Sequence, residues 1–182
     1  PQSGPVETAE VELGLVDVDV DFLPPGPSTG ASPEEILAGF IAAGTAAQNN
    51  YRVARSYLTQ DAADGWNPNS SVLIRSGEPT LSAIAGNAIQ YTVPTIASID
   101  EFGRYLPTTM ATPQELEFRF AREGDEWRIS DLPDIIVLTR PAFQEAFTSY
   151  RLYYYSAGYR ELVADVRWFA SRGEVSTKIV RS

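Results

Sequence analysis

The 182-residue chain has no cysteine and no histidine, and its single lysine is Lys178. Without the first two, Ser-His-Asp and Cys-His nucleophilic sites lose essential members, and so do the usual zinc centres. A chain with no thiol has no disulfide framework, which is compatible with an exported setting without establishing one. The one lysine lies near the end of the sequence, a poor place for a Schiff-base nucleophile. No G-x-x-x-x-G-K-S/T phosphate loop occurs, and no G-x-G-x-x-G follows a strand pattern. No apolar run reaches the ~18 residues that a spanning helix needs. The longest, Ile36 to Ala47, is broken by Gly39 and Gly44.

Positive charge is also missing where it would matter for nucleic acid. Residues 1–51 contain eight acids (Glu7, Glu10, Glu12, Asp17, Asp19, Asp21, Glu34, Glu35) and no base, against a net charge of -10 for the whole chain. Such a surface repels phosphate backbones, so nucleic acid is not an expected partner. The acidic stretch reads first as a solvated tail. The chain as a whole is 43% hydrophobic and 11% aromatic, enough for a sizeable core. A chain starting at Pro1 is expected to have lost an upstream segment.

Residues 1–31 read as an extended tether, dense in Pro and Gly. Within it Val16, Val18, Val20 and Phe22 alternate with Asp17, Asp19 and Asp21, the period of a strand with one apolar face. The alternating Asp residues lack the loop glycine and terminal Glu of a calcium loop, so no metal site is expected there. Ser32-Pro33-Glu34-Glu35 is a capping box, and Ile36, Leu37, Phe40 and Ile41 share a helical face behind it. A second helix is expected over Tyr51 to Leu58, and only a turn from Gln60 to Asp64.

From Ser71 the period is two. Expected strands are Val72 to Arg75, Thr80 to Ile84, Ala88 to Val93, Thr95 to Ile99, Arg104 to Thr108, Glu115 to Arg122, Glu126 to Ser130 and Ile135 to Leu138. Glu123-Gly124-Asp125 marks a hairpin turn. A short helix is expected over Thr139 to Ser149, then strands Tyr150 to Tyr155 and Leu162 to Phe169, and a last helix from Gly173-Glu174. Two helices followed by long antiparallel strands predict an α+β fold that resembles an NTF2- or cystatin-like cone, with the helices covering the concave face. A partial second α/β unit follows at the C-terminus.

Carboxylates remain as candidate catalysts. Glu34-Glu35 is explained by capping, Glu117 by a solvated strand face, Asp131 and Asp134 by a loop, and Asp165 by a turn. A ketosteroid-isomerase type of cone would need a buried base with an oxyanion donor such as Tyr91 or Tyr105, and no acid occupies an apolar strand position. No catalytic, cofactor-binding or metal-binding residue is therefore assigned. Tyr153-Tyr154-Tyr155 on one strand is different. At least one ring must turn away from its neighbours, so these three are the candidate protein interface.

Several segments, in order and spacing, resemble the N-terminal region of the actinobacterial lipoprotein LpqB family. They are Ser3-Gly4-Pro5-Val6, Pro24-Pro25-Gly26-Pro27, Ala31-Ser32-Pro33-Glu34-Glu35-Ile36, Gly39-Phe40-Ile41, Ala54-Arg55-Ser56-Tyr57-Leu58-Thr59 and Trp66-Asn67-Pro68. Glu126-Trp127-Arg128-Ile129 and Leu162-Val163-Ala164-Asp165-Val166-Arg167-Trp168 complete the set. The sequence departs from the family pattern at Ala164, where a proline is expected, and at Ser156-Ala157-Gly158, where Asp-Pro is expected. The resemblance implies a lipidated Cys upstream, attachment to the outer face of the cell membrane, and downstream GerMN and β-propeller domains. It also implies regulation of the MtrA–MtrB two-component system by contact with the extracytoplasmic part of the sensor kinase MtrB. On it, residues 1–31 are a tether, 32–149 the NTF2-like domain, and 150–182 the beginning of a truncated GerMN-like domain.

The leading expectation is thus a non-catalytic extracytoplasmic domain that works by protein contact. A small-ligand or enzymatic cone is a second reading. A spacer is a third, since 31 extended residues at ~3.1 Å each reach on the order of 90 Å.

Overall fold

The computed structural model describes residues 24–155 and 161–171. The alternating segment 16–22 and the helix expected from Gly173 lie outside them. The capping box forms as written. Ser32 Oγ accepts from the Glu35 N–H (3.3 Å), and the Glu35 carboxylate accepts from the Ser32 N–H (2.8 Å). Helix α1 (Pro33–Ala43) then buries Ile36, Leu37, Phe40 and Ala43. Helix α2 (Gln48–Arg55) starts and ends about three residues earlier than expected. Asn50 and Tyr51 both take left-handed φ values, 55° and 56°, which Asn tolerates and Tyr rarely adopts. The expected turn at Gln60 is a helix, α3 (Gln60–Gly65), N-capped by Thr59, whose Oγ1 accepts from the Ala62 N–H (3.3 Å). Six residues are too few for a helical period to show in the sequence.

The sheet has six strands: β1 (Val72–Arg75), β2 (Thr80–Ile84), β3 (Ala88–Ile99), β4 (Tyr105–Glu123), β5 (Glu126–Asp131) and β6 (Ile136–Thr139). Its order is β5-β4-β3-β1-β6, with β2 also on β3; every pairing is antiparallel except β1 with β6. Two expected pairs of strands are single long ones. β3 runs through Pro94 because that residue's carbonyl faces the turn after β1, where Ser76 N–H binds it (2.9 Å). The missing N–H points the same way and costs the ladder nothing. β4 runs on through Pro107 and Pro113 by way of a bulge. Thr95 and Ala97 on β3 face Thr112 and Pro107 on β4, so two steps oppose five.

Strands β5 and β6 lie at opposite edges, yet only Leu132 to Ile135 join them. Five residue steps reach about 17 Å. Four strand spacings in a flat sheet would take about 19 Å. The sheet has to curl, and it forms a half-barrel around the helices. The segment between α2 and α3 seals its β5 edge. Ile129 N–H donates to the Tyr57 carbonyl (3.0 Å), and Thr59 N–H donates to the Ile129 carbonyl (2.8 Å).

Alternate β3 residues Ile89, Tyr91, Val93, Thr95, Ala97 and Ile99 are buried, as are Phe118 and Phe120 of β4. A chain of edge-to-face rings crosses the interior: Tyr51–Trp66 (6.0 Å between centroids), Trp66–Phe40 (5.2 Å), Phe40–Phe118 (6.1 Å) and Phe118–Tyr91 (6.1 Å). Such contacts add to area burial by roughly 0.5–1.5 kcal/mol each. Arg55 holds the α3 end by donating to the carbonyls of Asn50 (3.0 Å), Ala63 and Trp66 (3.2 Å). Helix α4 (Arg140–Ala146) packs on β1, β6 and the next strand, and is shorter than expected. Strand β7 (Phe147–Tyr155) therefore begins three residues before the expected domain boundary, and pairs with β8 (Leu162–Ala170) in a separate two-stranded sheet.

Candidate protein-contact surface

The β7–β8 ladder is in register from Phe147↔Ala170 to Tyr155↔Leu162. Side chains alternate along each strand and cross-strand partners share a face. One face therefore carries Arg151, Tyr153 and Tyr155 with Leu162, Ala164 and Val166; the other carries Leu152 and Tyr154 with Val163 and Asp165. All three tyrosines reach solvent, with 58%, 37% and 63% exposure for Tyr153, Tyr154 and Tyr155. Leu162, Val163 and Val166 are exposed beside them. The structure thus brings the sequence-predicted tyrosines together with three aliphatic residues that nothing in the sequence singles out.

The other end of the hairpin is anchored. Trp168 lies against Phe143 (5.0 Å between centroids) and Tyr105 (6.3 Å), and Phe143 stacks on Phe147 (5.2 Å). Trp168 N–H donates to the Gly103 carbonyl (2.8 Å), and Arg104 bridges to Arg167 in antiparallel fashion. Gly103 has φ +78°, and a Cβ there would sit 2.8 Å from the Trp168 carbonyl. Only glycine tolerates both conditions. Arg167 donates to the Phe102 carbonyl (2.9 Å) and pairs with Asp165 (2.6 Å). Asp100 shapes the turn by accepting from the N–H groups of Phe102 (3.0 Å) and Arg104 (2.9 Å) and from Arg104 Nε (2.6 Å). Partial burial opposes ionisation of this carboxyl, but those donors outweigh it and hold it below the usual carboxylate value. The sequence signal for this joint is Asp100-Glu101-Phe102-Gly103, an acid three residues before a glycine, and it is too common a pattern to mark a site.

The remaining candidates are dispersed. Glu35 is used in the cap, Glu117 pairs with Arg119, Asp134 accepts from the Asn67 N–H (2.8 Å), and Tyr105 is wedged in the Trp168 cluster. Tyr91 is alone inside the cone. Burial raises its pKa, Arg75 lowers it in part and Glu78 adds to it. Its hydroxyl and Trp66 Nε1 have no hydrogen-bond partner. Burial pushes Tyr51 up to about 12. Among the described residues no Asp or Glu is buried, so no buried acid accompanies Tyr91. No group of three or more acids could hold a metal among them either.

A family model described as the N-terminal domain of lipoprotein LpqB matches residues 26–144. The chain belongs to the LpqB lipoprotein family. Its relatives include lipoprotein LpqB of Cutibacterium acnes, 34% identical over 91% of this chain and 28% of that protein. The LpqB of Bifidobacterium longum is 33% identical over 94% of this chain and 32% of its own length. That of Mycobacterium tuberculosis is 25% identical over 98% and 31%. The last match is long enough to include the β7–β8 hairpin, which lies beyond the family model. The chain spans about a third of the LpqB proteins it matches. No solved structure matches it. These relatives are named for a lipoprotein and not for an enzyme, and no described helix is long and apolar enough to cross a membrane.

Proposed function

We propose that this chain is a non-catalytic, extracytoplasmic domain of a lipid-anchored LpqB protein and that it acts by contact with other proteins. The observation that carries this reading is the family match over the whole cone, together with an interior filled by aromatic rings rather than by a paired acid and donor. The membrane attachment follows the family's character as lipoproteins, through a Cys upstream of Pro1. The partner that fits the family resemblance is the extracytoplasmic domain of the sensor kinase MtrB, with GerMN and β-propeller domains following in the same polypeptide. Helices packed inside a curled, mainly antiparallel sheet support reading the cone as NTF2- or cystatin-like. The test is binding of the full-length protein to the immobilised extracytoplasmic domain of the kinase. A saturable signal is expected, and a flat response across the accessible concentration range sinks the kinase reading.

A further inference from the structure

We propose that the open edge of β2 is a docking site for the chain's own residues 16–22, which add to the six-stranded sheet as a further strand parallel to β2. One consequence, that the stretch free to act as a tether ends near residue 15, rests on reading the chain as part of a lipid-anchored protein. The pairing itself does not.

The argument begins with the edges of the sheet. An unpaired edge presents a row of N–H and C=O groups, and proteins guard it with charge, proline or a covering segment. β5 is sealed by Tyr57 and Thr59. β6 is largely buried, with α1 and α4 packed on it. The stretch of β4 that extends past β5 carries Pro107, Pro113, Glu115 and Glu117. β2 has none of these guards. It pairs with β3 alone, contains neither charge nor proline, and is exposed at every residue from Thr80 to Ile84. Leu81 lies opposite Tyr91 and Ala83 opposite Ile89, so the two share the face that is buried on β3. Leu81 is nevertheless 44% exposed. The apolar face of the sheet continues onto β2 without its cover.

The occupant has to match this edge. Val16, Val18, Val20 and Phe22 alternate with Asp17, Asp19 and Asp21. A strand of that pattern has one apolar and one acidic face, and it needs a sheet to lie in. With Val18 and Val20 beside Leu81 and Ala83, it extends the buried face. The three Asp residues then fall beside Thr80, Ser82 and Ile84, where β2 offers no like charge. A second copy of the chain fits less well. A five-residue edge falls far short of the ~800 Å² per partner of a stable interface, and two chains of net charge -10 repel each other. A segment of the same chain is already present at an effective concentration on the order of millimolar.

The chain is long enough in one direction only. Pro25 is fixed by its hydrogen bond from Tyr57 Oη (2.9 Å). Tyr57 and Ile84 lie in one row across the sheet. The Tyr57 carbonyl binds Ile129 N–H, Ile129 faces Phe120, Phe120 N–H binds the Asn87 carbonyl, and the next residue, Ala88, faces Ile84. Four strand spacings separate the ends of this row. A fifth reaches a strand added to β2, about 24 Å along the sheet and about 15 Å across a half-barrel. Four residue steps from Pro25 to Asp21 span about 14 Å, to which the Tyr57 side chain adds its own length. Asp21 therefore reaches the Ile84 end. The opposite direction would add the length of the strand, about 13 Å more. The pairing is parallel, and the free tether shortens from a reach on the order of 90 Å to one on the order of 45 Å.

The experiment uses the 182-residue chain, which has no thiol of its own. Ser82→Cys is combined in turn with Asp17→Cys, Asp19→Cys, Val20→Cys and Asp21→Cys, and disulfide formation under mild oxidation is followed by non-reducing electrophoresis and peptide mapping. Ser82 is exposed, and an unchanged circular dichroism spectrum verifies the fold of each variant. The expected result is an intrachain disulfide from Asp19→Cys that forms on the order of tenfold faster than from Val20→Cys, whose Cβ points to the other face. A two-residue shift of register moves the fast partner to Asp17→Cys or Asp21→Cys and keeps the alternation. Equal rates for the Asp and Val variants overturn the proposal, because a passing tether has no faces. A faster Val20→Cys product, disulfide-linked dimers or no disulfide at all overturn it as well. None of these outcomes depends on whether the kinase binds.

Discussion

The ring of Tyr57 fills the space where a side chain on Gly39 would begin: a Cβ there would sit 2.5 Å from both Cζ and Oη. Helix α1 and the segment after α2 meet at this point, and Tyr57 Oη goes on to donate to the Pro25 carbonyl (2.9 Å). Gly39→Ala in an ordinary helix interior gains up to about 1 kcal/mol. Here it forces the ring out and costs about 1–3 kcal/mol. Urea midpoints measure this, and a double-mutant cycle assigns it. In a Tyr57→Ala background the same change is expected to become neutral or stabilising. An equal cost in both backgrounds would show that the ring is not the cause.

Tyr91 hides a hydroxyl that has no partner. An unpaired buried donor is destabilising by about 1–3 kcal/mol relative to a paired one. Tyr91→Phe removes it and keeps the ring against Phe118. The variant is expected to be as stable as the parent or more so, as read from its thermal midpoint. A marked loss would reveal a partner for the hydroxyl and favour a ligand-binding cone.

Asp100 gives the cone–hairpin joint an acid dependence. Its folded pKa lies below the ordinary 3.8. Its contribution is therefore present at pH above the unfolded value and is lost as pH falls through the lower folded value. Asp100→Asn is expected to lower stability at neutral pH and to flatten this part of the acid limb of the stability curve. Parallel curves for the two proteins would refute it.

At the alkaline end the sign is opposite. Tyr51 ionises at about 10 when unfolded and at about 12 in the fold. Its stabilisation is full below pH 10 and is lost as pH climbs toward 12. Tyr51→Phe should weaken the decline over that window, followed by circular dichroism. Tyrosine absorbance of the folded parent should show a late-titrating group that the variant lacks.

Gly103→Ala places a side chain at φ +78° and against the Trp168 carbonyl. The left-handed backbone alone costs about 1–2 kcal/mol. Amide exchange at Trp168 is expected to accelerate while that of Phe118 in the cone stays slow. Equal acceleration at both sites would mean that the cone and hairpin unfold as one unit and that the joint has no separate stability.

Much of the fold was legible because local chemistry dictated it. The capping box fixed the start of α1. The alternation of Leu116, Phe118 and Phe120 with Glu115, Glu117 and Arg119 oriented β4, since a one-residue slip would expose the whole apolar set. β1 and β2 were read to the residue. The breaks expected at Pro94 and between Thr108 and Glu115 fall at prolines and polar residues, whose cost depends on which neighbour strand the backbone faces. That is a tertiary quantity. Helix α3 was missed because six residues give no period, and the Arg55 contacts that hold its C-terminal end come from outside it.

The surface divides in the same way. Tyr153, Tyr154 and Tyr155 were visible as a triplet that no single strand face could bury. Their aliphatic company was not, because Leu162, Val163 and Val166 join them only through the β7–β8 register. The Gly103–Trp168 joint was invisible, because its members are far apart in the chain and neither is unusual in its local context. By itself the sequence determined which side chains are apolar, where helices begin and which chemistries lack their reactive groups, all properties of neighbouring residues. Only the tertiary structure decided the curl of the sheet, the passage of strands through proline and the welding of the hairpin to the cone, because each depends on which distant backbone groups meet.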